Sequence, residues 1–306
     1  MKTYRLQDLR PGLEKLTLCE TVEKRPLRVH ILALGDVGLS LLLGLRLLGG
    51  EDISLLGVFD PDEKAMRRCE MEMNQIGLPI WEQAAMPPMP EVVLLKEEEL
   101  FCCDIFVFCA SRAVPAPETR GDVRMMQFAA NRIIAADYGR RAAKAGYRGI
   151  FAVVSDPVDP LCKEVLLASG MNPAQIRGYG LGVMNKRAEY YAKREEKFSA
   201  YLKEGRAFGP HGADLVIANS VAHYDDRLSR ELTKLTVEAN LRVRELGFKP
   251  YLAPAMSSGA RSLLLTVRGR WNYSCLLYTS ISAYKDRSAF VRGKQHKENI
   301  RQEADG

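Results

Sequence analysis

The stretch LRVHILALGDVG, Leu27 to Gly38, decides how this chain folds. Its first eight residues are mostly apolar, as suits a strand covered on both faces. Gly35-Asp36-Val37-Gly38 then breaks the run, and Leu39 to Leu48 continues as an apolar helix that closes at Gly49-Gly50. A glycine turn between a buried strand and a helix presents backbone N–H groups to an anion, and the helix dipole favours negative charge there. A second apolar run, Ile53 to Phe59, ends at Asp60. That carboxylate falls about 20 residues after the turn, where an acid meets a ribose hydroxyl. Gly35, Asp36, Val37, Gly38 and Asp60 are therefore the expected cofactor-binding residues. An acid at position 60 favours the free 2′-hydroxyl of NAD over the 2′-phosphate of NADP. Ala33 replaces the first glycine of the G-x-G-x-x-G pattern.

Outward from this unit the rhythm continues. A polar helix fits 61–76, a short strand Val92–Leu95, and a strand Asp104–Cys109 that leads into a Pro-containing loop at 111–121. A long helix fits 122–145, and Gly149–Val154 is a further strand running into SDPVD. Strand, helix, strand in this order predicts an α/β fold with a Rossmann-type, doubly wound parallel sheet over residues 27–175. Residues 1–26 read as an N-terminal extension. After 175 come a basic helix (184–204), a loop with His211, a helix at 225–246 and a stretch from Ala253. These predict a C-terminal α+β catalytic domain over 176–274.

Composition narrows the function classes. Lys+Arg exceed Asp+Glu by a net +6 that is spread along the chain, too weak and dispersed for nucleic-acid binding. The 7 cysteines lack the paired spacing of a zinc site, so no metal is expected and a reducing compartment is. No stretch reaches the ~18 apolar residues of a membrane span, and MKTYRLQDLRPG has no apolar leader core. A cytoplasmic protein without membrane contact is the expectation.

Three segments downstream carry a resemblance. VSDPVDPL (154–161), GYGLGVMNKRAEYY (178–191) and GPHGADLV (209–216) resemble, in order and spacing, segments of the NAD-dependent lactate and malate dehydrogenases. CEMEMNQI (69–76) is similar to a fourth. The resemblance implies reversible hydride transfer between NAD and a small 2-hydroxy or 2-oxo acid, in a homo-oligomer (dimer or tetramer). It assigns His211 as the catalytic acid/base and Arg187 as the fork that holds the substrate carboxylate. A loop arginine polarises the carbonyl. Arg124 has the family's spacing to Asn131, while Arg120-Gly-Asp-Val matches its text better. Arg124 is taken as catalytic, and Arg120 and Asn131 as substrate-binding. Malate enzymes carry an extra arginine six residues before the loop arginine. Val114 or Glu118 stands there, which favours a lactate-like substrate, although Arg112 lies nearby.

Two positions depart from the family. The aspartate that orients the histidine falls at Met184, or at Asn185 with a slip of one, and the asparagine before proline is Asp156. One reading is that the acid has moved, so that Asp156 (or, less simply, Asp214) serves His211. The other is a non-catalytic dinucleotide-binding relative. The resemblance ends near Ser274. CLLYTS (275–280) is one translation frame of a transposon mosaic end, so 275–306 is expected to be foreign to the native protein.

Overall fold

Residues 25–79, 81–82, 87–112, 123–212, 214–270 and 272 are described by a computed structural model. Six strands form one parallel sheet: β1 (Leu27–Leu32), β2 (Ile53–Phe59), β3 (Glu91–Leu94), β4 (Ile105–Phe108), β5 (Ile150–Val153) and β6 (Ile176–Gly178). Their spatial order is β3-β2-β1-β4-β5-β6. The order reverses beside β1, which opens a crevice at the carboxyl ends of β1 and β4, where doubly wound sheets bind ligands. The Rossmann-type sheet expected from the sequence is present.

Both faces of the sheet are covered, which is why its strands read as unbroken apolar runs. On one face Val29, Ile31, Leu56 and Val58 pack with Leu41, Leu42 and Leu45 of α1 (Asp36–Gly49). On the other, Leu32, Phe106, Phe108 and Phe151 pack with Tyr138 and Ala142 of α3 (Val123–Lys144) and with Leu161 and Val165 of α4 (Val158–Ser169). The polar helix α2 (Glu63–Asn74) is capped by Asp62, whose side chain accepts from the N–H groups of Lys64 and Ala65.

The second half differs from the sequence expectation in three ways. The sheet runs past residue 175, because β6 pairs with β5 through Ile176, Arg177 and Gly178. The helix expected at 184–204 is broken into α5 (Leu181–Ala192), a 3-10 turn (Glu196–Phe198) and α6 (Tyr201–Glu204). The five charged residues from Lys193 to Lys197 offer no apolar face, and the chain folds back to bury Phe198 and Tyr201. The third concerns the core of this half. Residues of α5, the antiparallel pair β7 (Arg206–Phe208) and β8 (Val216–Ala218), and α7 (Asp226–Glu245) share a separate core. The segment after them does not join it. A π-helical turn (Pro254–Ala260) and α8 (Arg261–Val267) return to α1, where Ala260, Leu263, Leu264 and Val267 enter the core of the parallel sheet. Gly44 permits that approach, since a Cβ there would lie 2.6 Å from the Cβ of Ala260. The expected foreign segment 275–306 lies outside the described residues.

Candidate active site

The glycine turn is built as a close crossing of backbones. A Cβ on Gly38 would stand 2.0 Å from the carbonyl oxygen of Ala33, so only glycine fits. Ala33 has φ 75°, the left-handed conformation for which glycine is the usual residue. The alanine keeps the turn at a cost of about 1–2 kcal/mol, and its N–H is fixed on the Phe59 carbonyl at 2.9 Å. Gly35, by contrast, faces open space, with nothing within 4 Å of a Cβ placed on it. No side chain caps α1 at this end. At the tip of β2, Asp60 accepts from the Leu34 N–H through Oδ2 (2.8 Å) and from the Asp62 N–H through Oδ1 (2.9 Å). Each carboxylate oxygen has a second acceptor position, so the ribose diol and pyrophosphate of a dinucleotide fit these groups.

The carboxyl ends of β4 and β5 are tied together by Asn131 of α3, which has no exposed surface. Its Oδ1 accepts from the Arg112 N–H (2.9 Å), and its Nδ2 donates to the Ser111 hydroxyl (3.3 Å) and the Asp156 carbonyl (2.8 Å). Its amide ties the two loops together and shapes the crevice from beneath. Oδ1 accepts one bond here and has a second acceptor position, so substrate contact by Asn131 stays a proposal. The Ser155 hydroxyl adds a bond to the Ala110 carbonyl at 2.6 Å. Above them the side chain of Asp156 is exposed. Cys109 lies beneath the glycine turn, and burial pushes its thiol up to about 12, which makes it an inert wall. Arg124 is in the first turn of α3. Its side chain, and Arg120 altogether, lie outside the described residues.

Arg187 comes from the helix after β6, and His211 from the loop between β7 and β8, which folds back to the end of β6. Arg187, half-buried on α5, directs one guanidinium nitrogen at the Met184 sulfur, 3.6 Å away. Met184 is 1% exposed. Nδ1 of His211 is 2.8 Å from the carbonyl oxygen of Gly180, and that carbonyl also accepts from the buried Ser258 hydroxyl at 2.9 Å. A Cβ on Gly180 would sit 3.0 Å from the His211 Cβ, tighter than most Cβ contacts, so a larger residue would push the imidazole aside by a few tenths of an ångström. A backbone carbonyl holds Nδ1 of His211, and the exposed side chain of Asp156 as its partner stays a proposal. The Gly180 carbonyl and Ser258 were not singled out in the sequence. Among the described residues no group of His, Cys, Asp and Glu could hold a metal ion. No helix among them is long and apolar enough to cross a membrane.

Comparison with known proteins bears on this arrangement. No family model matches the chain. It is 25% identical over 198 residues to an L-lactate dehydrogenase of Mesomycoplasma hyopneumoniae, a match covering 64% of this chain and 58% of that protein. It is 26% identical over 190 residues to one from Oceanobacillus iheyensis, covering 60% and 54%. Among solved structures it resembles a minor L-lactate dehydrogenase from Enterococcus mundtii, with TM-score 0.63, 17% identity and coverage of 80% and 78%. The malate dehydrogenase of Picrophilus torridus gives TM-score 0.60, 19% identity and coverage of 79% and 76%. In sequence the chain is similar to L-lactate dehydrogenases, and in fold to solved lactate and malate dehydrogenases. It spans less than two thirds of the length of the curated relatives it matches. Met184, which the resemblance read in the sequence sets opposite a carboxylate unless Asn185 takes that place, is a buried thioether.

Proposed function

We propose that this chain is an NAD-dependent oxidoreductase interconverting a small 2-hydroxy acid and its 2-oxo acid, with a lactate-like substrate preferred to malate. The observation that carries the reading is His211, held by its Nδ1 at the same edge of the sheet where the glycine turn opens. NAD, when bound, accepts or supplies the hydride at the substrate carbon. The chain's own residues do the rest. A carbonyl can only accept, so Nδ1 of His211 carries a proton toward Gly180. Nε2 then bears the lone pair that takes the hydroxyl proton in oxidation and returns it in reduction. Arg187 holds the substrate carboxylate through a planar fork, which a lysine cannot copy. The loop arginine, Arg124 or Arg120, polarises the carbonyl. Neither Val114 nor Glu118 can pair with a second carboxylate, hence the preference for monocarboxylic substrates. The active form is a cytoplasmic homo-oligomer.

A second reading, a non-catalytic dinucleotide binder, is favoured by one observation: Nδ1 of His211 meets a neutral backbone carbonyl. Fluorescence titration with NADH and NADPH, followed by a panel of 2-oxo acids including oxaloacetate, separates the two. Preferential NADH binding with turnover of monocarboxylic 2-oxo acids supports the enzyme. Binding without turnover on any of them supports the second reading.

A further inference from the structure

The departure at Met184 or Asn185 leaves a physical question. A histidine that exchanges a proton works best in one tautomer, and a fixed partner on its other nitrogen normally selects that tautomer. Around His211 the selection is made by a chain of three hydrogen bonds, two of them buried. The Val183 N–H donates to the Ser258 hydroxyl oxygen (2.8 Å) and the Ser258 hydroxyl donates to the Gly180 carbonyl (2.9 Å). That carbonyl receives Nδ1 of His211 (2.8 Å). Ser258 is 3% exposed.

The backbone is shaped around this chain. Ser258 sits in the π-helical turn Pro254–Ala260, and such turns cluster at functional sites. The turn is pressed against α5 so closely that a Cβ on Gly182 would lie 2.4 Å from the Ser257 carbonyl oxygen. Gly180 is likewise hemmed in by His211 on one side and by Val158, whose Cγ2 would be 3.3 Å from a Cβ there. The carbonyl has two lone pairs, and the two bonds named here use both.

We propose that Ser258 is a positioning residue for His211. By donating to the Gly180 carbonyl, the hydroxyl locks the orientation of that peptide group with one lone pair aimed at Nδ1, and so holds the imidazole as the Nδ1–H tautomer. A neutral serine–carbonyl pair thus does the orienting that a carboxylate does in the dehydrogenase pattern. The inference rests on His211 being the proton-exchanging group proposed above.

Ser258 also satisfies the Val183 N–H in the first turn of α5, so loss of stability alone would not distinguish positioning from support. The test is therefore the tautomer of His211, read from long-range proton–nitrogen correlations of the full chain labelled with 15N-histidine and assigned with His211→Gln. The unmodified protein should show the Nδ1–H form, and Ser258→Thr, which keeps the hydroxyl, should retain it. Ser258→Ala should add the Nε2–H form. It should also lower kcat with pyruvate and NADH by about three- to tenfold, as expected for one lost hydrogen bond, while KM changes by less than about twofold. An Nε2–H tautomer in the unmodified protein overturns the proposal. So does a Ser258→Ala variant that keeps both tautomer and kcat. If the unmodified protein turns over no 2-oxo acid, the enzymatic reading falls, and the tautomer comparison still decides the role of Ser258.

Discussion

Gly35 and Gly38 stand three residues apart in one turn, and the structure gives them opposite duties. In Gly38→Ala the new Cβ would meet the Ala33 carbonyl oxygen at 2.0 Å. Contacts under 3.0 Å are essentially never seen for a real Cβ, and the obstacle is backbone. The two segments must separate by about 1 Å, a forced overpacking that costs about 1–3 kcal/mol. For a protein of this size that lowers Tm by about 2–5 °C. Gly35→Ala should behave differently. Its φ of −70° and ψ of −174° suit any residue, and nothing lies within 4 Å of the added methyl. Stability should hold or rise by about 0.4–1 kcal/mol, through the smaller entropy of the unfolded chain. The methyl nevertheless fills the space through which a pyrophosphate reaches the backbone, so NADH should bind at least about tenfold more weakly, or about 1.4 kcal/mol. Differential scanning calorimetry and NADH fluorescence titration on both variants check this. Gly35→Ala with undiminished NADH affinity, or Gly38→Ala with unchanged Tm, refutes the reasoning.

Further predictions concern the other side chains. Arg187→Lys keeps the charge and loses the fork, so KM for 2-oxo acids should rise by the equivalent of about 1.5–3 kcal/mol in kcat/KM, measured by steady-state kinetics. Asp156→Asn removes an exposed carboxylate from a crevice proposed to take an anion. It should lower KM for pyruvate, and a fall in kcat instead would return Asp156 to the role of histidine partner. His30 is buried, with Nδ1 on the Leu100 carbonyl at 3.0 Å, and desolvation lowers its pKa below the ordinary histidine value. The unfolded chain therefore takes up this proton first. The stability His30 contributes is present above the unfolded value of about 6.5 and is lost as pH falls through it. Chemical denaturation at pH 7.5 and 5.5 should show the drop, and His30→Asn should flatten it.

The parallel sheet was legible because burial on both faces writes each strand as an apolar run. Ile53–Phe59 was bounded correctly at both ends, since glycines and Asp60 punctuate it. The glycine turn was legible despite its broken motif. Ala33 adopts the left-handed backbone all the same, because β1, α1 and the Phe59 carbonyl over-determine it. The helix at 184–204 was misjudged, since its charged residues looked like a solvated face while the burial of Phe198 and Tyr201 breaks it. The partner of His211 was illegible for a deeper reason. It is a backbone carbonyl, which has no letter of its own, and it is steadied by a serine 78 positions away. PAMSSGA carries no motif to mark that serine, and the approach of the π-helical turn to α5 is a tertiary fact.

The central claim is that hydride passes between NAD and a small 2-oxo acid in this crevice, with His211 exchanging the proton. Incubating the protein with stereospecifically 4-deuterated NADH and pyruvate, and weighing the hydroxy acid by mass spectrometry, tests it most directly. The account predicts lactate carrying the deuterium from one face of the nicotinamide, and formation slowed by about 10²–10⁴-fold in His211→Gln. Bound NADH with no labelled hydroxy acid from pyruvate or any other 2-oxo acid would contradict it.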